Sequence, residues 1–164
     1  MSNLASRVLT AIVGITLVVS AILFREYTFL LLLLAISVLG LLEFYKLCND
    51  DGIQPQKIMG IATTVVLFLP LILSSWFEVQ LNLAPLLYIL PYFVFIRELF
   101  TKSAKPFTNI GYTLLGVIYI AVPLFMFYLS SLIYDDGGLL ESNYHPKIIL
   151  GYLFILWAND TGAY

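Results

Sequence analysis

The sequence predicts an all-α integral membrane protein, a bundle of about six transmembrane helices. Three observations carry that prediction. First, the 164 residues are 61% hydrophobic and only 11% charged, where a soluble domain carries about 25% charged residues. Second, mean hydropathy is +0.97. A chain this short keeps much of itself at its surface, so lipid must be the solvent for much of it. Third, the apolar residues fall in runs close to the roughly 20 helical residues that cross a hydrocarbon core.

The runs follow in order. Val8 to Phe24 comes first and is closed by Arg25-Glu26. It is long for a signal-peptide core and another apolar run follows at once, so it reads as a helix. Tyr27 to Leu42 is the second, ending in "EFYKL", and Ile58 to Phe77 is the third, with Pro70 inside. Leu83 to Ile96 is the fourth and weakest, short and carrying Pro85 and Pro91; a broken or re-entrant segment is its alternative reading. Ile110 to Ile133 is the fifth, with Pro123 inside, and Ile148 to Tyr164 is the sixth. Internal prolines are tolerated in membrane helices and predict kinks at Pro70 and Pro123. The polar connections are "CNDDGIQPQK", "RELFTKSAKPFTN" and "DDGGLLESNYHPK"; Asp50-Asp51 and Asp135-Asp136 read as solvated turn acids.

Charge gives an orientation. With six spans, Arg7, Lys46, Lys57, Arg97, Lys102 and Lys105 share one side, against Arg25 and Lys147 on the other. The positive-inside rule then puts the N-terminus in the cytoplasm. A re-entrant fourth run would reverse the parity after it. A net charge of −2 without a basic cluster argues against nucleic acid as a partner. The single cysteine, Cys48, excludes an internal disulfide and leaves too few thiols for a zinc ribbon or an iron–sulfur site. It reads as an apolar filler, and lone His145 as a loop residue.

Two acids need a reason, because a carboxylate at the centre of a membrane helix costs about 2.5–3.5 kcal/mol on insertion scales. Glu43 stands three residues before Lys46, a spacing that allows an ion pair at the membrane interface, with Phe44 and Tyr45 as belt residues. The sharper alternative turns Glu43 into the bundle. Asp160 has no local cation, since Lys and Arg are absent between 148 and 164. Beside it stand Asn159, Thr161, Gly162 and Ala163, and small residues let a ligand approach the backbone. An acid in that setting suits a metal-facing or phosphate-facing corner, with a solvated helix end as the plain alternative. Tyr112 and Tyr119, seven apart, are expected to share a packing face. No P-loop, zincin or nucleophile-elbow motif is present.

The segment "LFILWANDTGAY" resembles the integral-membrane phosphatidate cytidylyltransferases, also called CDP-diacylglycerol synthases. "LLEFYKL" is similar to the Glu-Phe-Tyr motif closing that family's second helix. "TLLGVIYIAVPLFMFYL" is similar to a Gly…Tyr-Ile…Pro-Leu helix of the same family, and Arg7 before the first run also fits. The resemblance implies CTP plus phosphatidic acid giving CDP-diacylglycerol plus pyrophosphate, with Mg²⁺. It makes Asp160 the catalytic residue and metal ligand, with Asn159, Thr161, Gly162 and Tyr164 binding substrate. It also implies a bacterial inner membrane and leaves room for a homodimer. The family's Lys- and Asp-rich C-terminal signature is absent from these residues, so 1–164 is expected to be one transmembrane region, the N-terminal part of a longer enzyme and inactive alone. A small multi-pass transporter and a non-catalytic membrane scaffold are the competing classes.

Overall fold

The computed structural model describes residues 3–77, 84–133 and 143–162. They fold as α1 (Asn3–Phe24), α2 (Glu26–Asp50), α3 (Lys57–Phe77), α4 (Ala84–Phe100), α5 (Pro106–Gly116), a π turn (Val117–Ala121), α6 (Val122–Leu129) and α7 (Pro146–Gly162). Leu132–Ile133 (β1) and Asn143–Tyr144 (β2) form a two-residue antiparallel ladder between α6 and α7. Among the described residues the protein is all-α apart from that ladder. The fourth run forms a helix and keeps Pro91 within it. Among the described residues, four helical stretches are long and apolar enough to cross a membrane: Ala5–Phe24, Glu26–Asp50, Lys57–Phe77 and Pro106–Leu129. The other two, α4 and α7, have 17 residues each, about 25 Å at 1.5 Å per residue.

Local chemistry sets the ends. Arg25 alone separates α1 from α2. Its carbonyl accepts from the Phe29 N–H, and the Thr28 hydroxyl reaches back to accept from the Arg25 N–H at 3.1 Å. The Thr28 hydroxyl thereby satisfies one orphan donor at the start of α2, the N–H of Arg25. Proline opens α5 and α7, where its missing N–H costs nothing. The second helix runs past "EFYKL" to Asp50, and Asp51 and Gly52 make the expected turn, Gly52 with φ of 74°. Asp135-Asp136 lie outside the described residues. Helix α3 continues through Pro70. Ahead of Pro123 the backbone widens instead: the Val122 N–H bonds the Val117 carbonyl, five residues back, a π turn placed beside a residue that has no donor.

The chain divides into two compact units, one from 1–32 with 128–164, the other from 33–127. In the first, Phe29, Tyr128 and Tyr144 cluster with ring centroids 6.2–6.5 Å apart. The Tyr128 hydroxyl donates to Glu26 Oε1, and the Tyr144 hydroxyl donates to the Ile22 carbonyl at 3.0 Å. Burial, with the Glu26 carboxylate adding to it, pushes the Tyr144 phenol above its ordinary pKa.

In the second unit Tyr45 is the centre. It is fully buried against Leu41, Val117 and Ala121, and its hydroxyl donates to the Thr113 carbonyl at 2.7 Å. A Cβ on Gly60 would stand 2.0 Å from the Tyr45 hydroxyl, and one on Gly116 would stand 2.7 Å from its ring. Both helices can approach the phenol only because those positions are glycine. Tyr45 is therefore a core wedge and not a belt residue. Tyr112 stacks on Phe44, with centroids 6.4 Å apart; both tyrosines are exposed, Tyr119 the more so. The π turn holds Tyr119.

Candidate functional site

The predicted site residues sit at the end of α7. The helix is exposed on nearly every side from Gly151 onward, with Leu153 half-buried. Asn159, Asp160, Thr161 and Gly162 are all exposed, and Tyr164 lies outside the described residues. At 100° per residue, Thr161 and Gly162 share a face with Phe154, Trp157 and Ala158. Those five line a shallow, mostly apolar hollow. Asn159 and Asp160 fall on the other side of the helix. The Thr161 hydroxyl donates back to the Trp157 carbonyl at 2.7 Å, which leaves its lone pairs free to accept. The predicted set is therefore split: two residues beside the hollow, and a polar pair open to approach. Among the described residues no group of three His, Cys, Asp or Glu side chains could hold a metal.

Glu43 does not turn inward. It and Lys46 are both exposed, and no ion pair joins them among the described residues. Cys48 is buried and free, as a filler should be. The acid that does enter a core is Glu98, only 3% exposed.

Glu98 stands in the last turn of α4, one turn beyond buried Val94 and on the same face. Its Oε2 accepts from Gln56 Nε2 at 2.7 Å and its Oε1 from Asn109 Nδ2 at 2.8 Å. Gln56 Nε2 also donates to the Val94 carbonyl at 2.9 Å. The segment before α3 is fixed to α5 by the Gln54 N–H on Asn109 Oδ1, 2.8 Å, and the Gln56 N–H on Thr113 Oγ1, 2.7 Å. A buried carboxylate is tolerable when hydrogen bonds replace its lost water, and here two amides do so. Beside this network lies a hollow of about 370 Å³, with Lys57 and Arg97 exposed at its edge and Thr101 on its wall.

Sequence reading missed this cluster because Gln56, Glu98 and Asn109 all lie in or beside polar connections. One signal was present: Glu98 extends the Val94 stripe by four residues, the step of a continuing helix face. Nothing local indicated that two amides, 42 positions before it and 11 after it, would meet it.

Buried hydroxyls in mid-helix bond their own helices: Ser37 to the Leu33 carbonyl at 2.8 Å and Thr64 to the Gly60 carbonyl at 3.0 Å.

The profile of the cytidylyltransferase family matches residues 5–164. The chain belongs to the cytidylyltransferase family. No curated protein and no solved structure matches it. Family membership makes this a transferase, and the four long apolar helices among the described residues agree with a membrane enzyme.

Proposed function

We propose that this cytidylyltransferase acts on phosphatidic acid, joining it to CTP to give CDP-diacylglycerol and pyrophosphate. The observation that carries the reading is the family match across residues 5–164, which includes the exposed Asp160 at the end of an apolar helix. A lipid substrate must stay in the bilayer while its headgroup meets a water-soluble nucleotide. An exposed carboxylate at the tip of an oily helix is a suitable meeting place.

In the reaction a phosphatidate oxygen attacks the α-phosphorus of CTP. A new P–O bond forms, the α–β phosphoanhydride bond breaks, and pyrophosphate leaves with the electron pair. Both reactants are anions, so the barrier is largely electrostatic. Asp160 and the Asn159 amide oxygen are hard donors on one side of α7, and they suit Mg²⁺, which takes one or two carboxylates and borrows phosphate oxygens for the rest. When bound, Mg²⁺ supplies positive charge at the reacting phosphates. Asn159 Nδ2 is a donor for a phosphate or ribose oxygen. Thr161 accepts from ribose, Gly162 lets the chain of phosphates approach the backbone, and Tyr164 offers a phenol. The reading places the N-terminus and Asp160 on the cytoplasmic side, the inner membrane of a bacterium as its location, and two copies as an available assembly.

The test is incorporation of labelled CTP into chloroform-soluble lipid by membranes holding the full-length protein. Added phosphatidic acid should raise incorporation, and chelation of Mg²⁺ should abolish it. Asp160→Asn should lower it by about 10²-fold or more, the scale of losing one electrostatic partner of a reacting group, with the protein still inserted. Full turnover in that variant sinks the metal role of Asp160. Absence of lipid labelling by the wild type sinks the substrate assignment.

A further inference from the structure

We propose that the hollow beside Glu98 is a headgroup site for a phospholipid whose phosphate ester carries hydroxyl donors. It is separate from the Asp160 cluster in its residues and does not rest on the proposed reaction.

The first observation is an orphan. Gln56 is only 6% exposed, and its Oε1 has no hydrogen-bond partner among the described residues. Flipping the amide does not help, because an oxygen would then face the Val94 carbonyl and Glu98 Oε2, which Nε2 now serves. A buried carbonyl without a partner costs about 1–3 kcal/mol, and Gln56, the residue that carries it, is part of the hollow's lining. Glu98, at its floor, retains unused lone pairs after accepting from Gln56 and Asn109. The interior of the site therefore offers acceptors, and its ligand must bring O–H or N–H donors inward.

The edge has the opposite character. Lys57 and Arg97 are exposed cations on its lining, and the first turn of the 21-residue α3 forms part of its wall. A helix N-terminus and two cations favour an anion there. The same cations disfavour a metal ion as occupant. At about 370 Å³ the hollow is in the range of small-molecule sites, about 300–1,000 Å³, and far larger than one water or ion needs. Donors inside and an anion outside describe a phosphorylated polyol.

The second observation selects a lipid. An apolar hollow of about 270 Å³, lined by Phe95, Leu99, Pro106, Phe107 and Ile110, flanks the same Glu98. A polar hollow and an oily one meeting at one side chain fit an amphiphile. With a small shift of the Gln56 amide toward the hollow, glycerol hydroxyls would reach its Oε1 and Glu98, the phosphodiester would lie at Lys57 and Arg97, and an acyl chain would follow Leu99 and Phe107.

The experiment is native mass spectrometry of the purified full-length protein from nanodiscs of mixed lipid. The probes are phosphatidylglycerol, phosphatidylmethanol (the same charge without headgroup hydroxyls) and phosphatidylcholine. Phosphatidylglycerol should be retained about tenfold over phosphatidylcholine, roughly the effect of one good polar contact, and should exceed phosphatidylmethanol. The double variant Lys57→Ala/Arg97→Ala changes exposed side chains only and should erase the preference. Equal retention of phosphatidylglycerol and phosphatidylmethanol overturns the proposal, as does a preference unchanged in the double variant. Displacement by cytidine monophosphate but not by glycerol 3-phosphate would assign the same chemistry to a nucleotide and overturn the lipid. Failure of CTP incorporation in the separate activity assay leaves every one of these outcomes untouched.

Discussion

Glu98 and Asp160 are carboxylates under opposite conditions. Glu98 is enclosed, and each of its oxygens receives an amide N–H. Asp160 is exposed at the end of a helix that few other residues cover. The first has traded water for fixed donors and holds three elements together. The second has kept its water and is free to trade it for a ligand. A carboxylate's partners, more than its presence, decide whether it serves structure or chemistry.

Substitution should separate the two roles. The largest stability effect is expected from Glu98→Ala, which leaves one N–H of Gln56 and one of Asn109 without an acceptor, their second N–H staying on the Val94 carbonyl and the Ser103 hydroxyl. Two unpaired buried donors at about 1–3 kcal/mol each predict a loss of about 3 kcal/mol or more, read as a lowered melting midpoint in detergent. Asp160→Asn should leave that midpoint unmoved while lipid labelling collapses. If Asp160→Asn melts early, or Glu98→Ala melts normally, the contrast fails.

Next in size is Gly116→Ala, where a methyl would press on the Tyr45 ring. Overpacking of this kind costs about 1–3 kcal/mol. Gly60→Ala should behave alike, and adding Tyr45→Phe should recover part of its loss, because the nearest clash is with the hydroxyl. Strict additivity in that pair would refute the wedge. Tyr45→Phe alone gives up one hydrogen bond, about 1 kcal/mol. Smallest of all, Glu43→Gln on the exposed face of α2 should alter neither melting nor turnover.

The helices were legible because each is long and apolar, and the bilayer requirement is a matter of length and composition. Their ends were less so. Glu98 hides in a stretch that reads as a loop because Arg97, Thr101 and Lys102 surround it. The β1–β2 ladder is too short to show a period. Asp160 was legible through the resemblance of "ANDTGAY" to a known motif. Its position opposite Thr161 and Gly162 follows from helical phase alone. The Gln56–Glu98–Asn109 cluster was not legible, since three separated polar residues meet there only after the helices pack. Glu43 shows the converse error: an acid within an apolar run attracts attention, yet the wall of the helix it occupies faces outward.

The Tyr45 hydroxyl finds its acceptor 68 residues later in the chain. During synthesis α2 enters the membrane long before Thr113 exists. Until α5 arrives, a phenol meant for a dry interior has no native acceptor, and only Gly60 of α3 is there to close around its ring. Assembly of this unit therefore cannot be completed hairpin by hairpin. It must wait for a late-made helix to lock an early one.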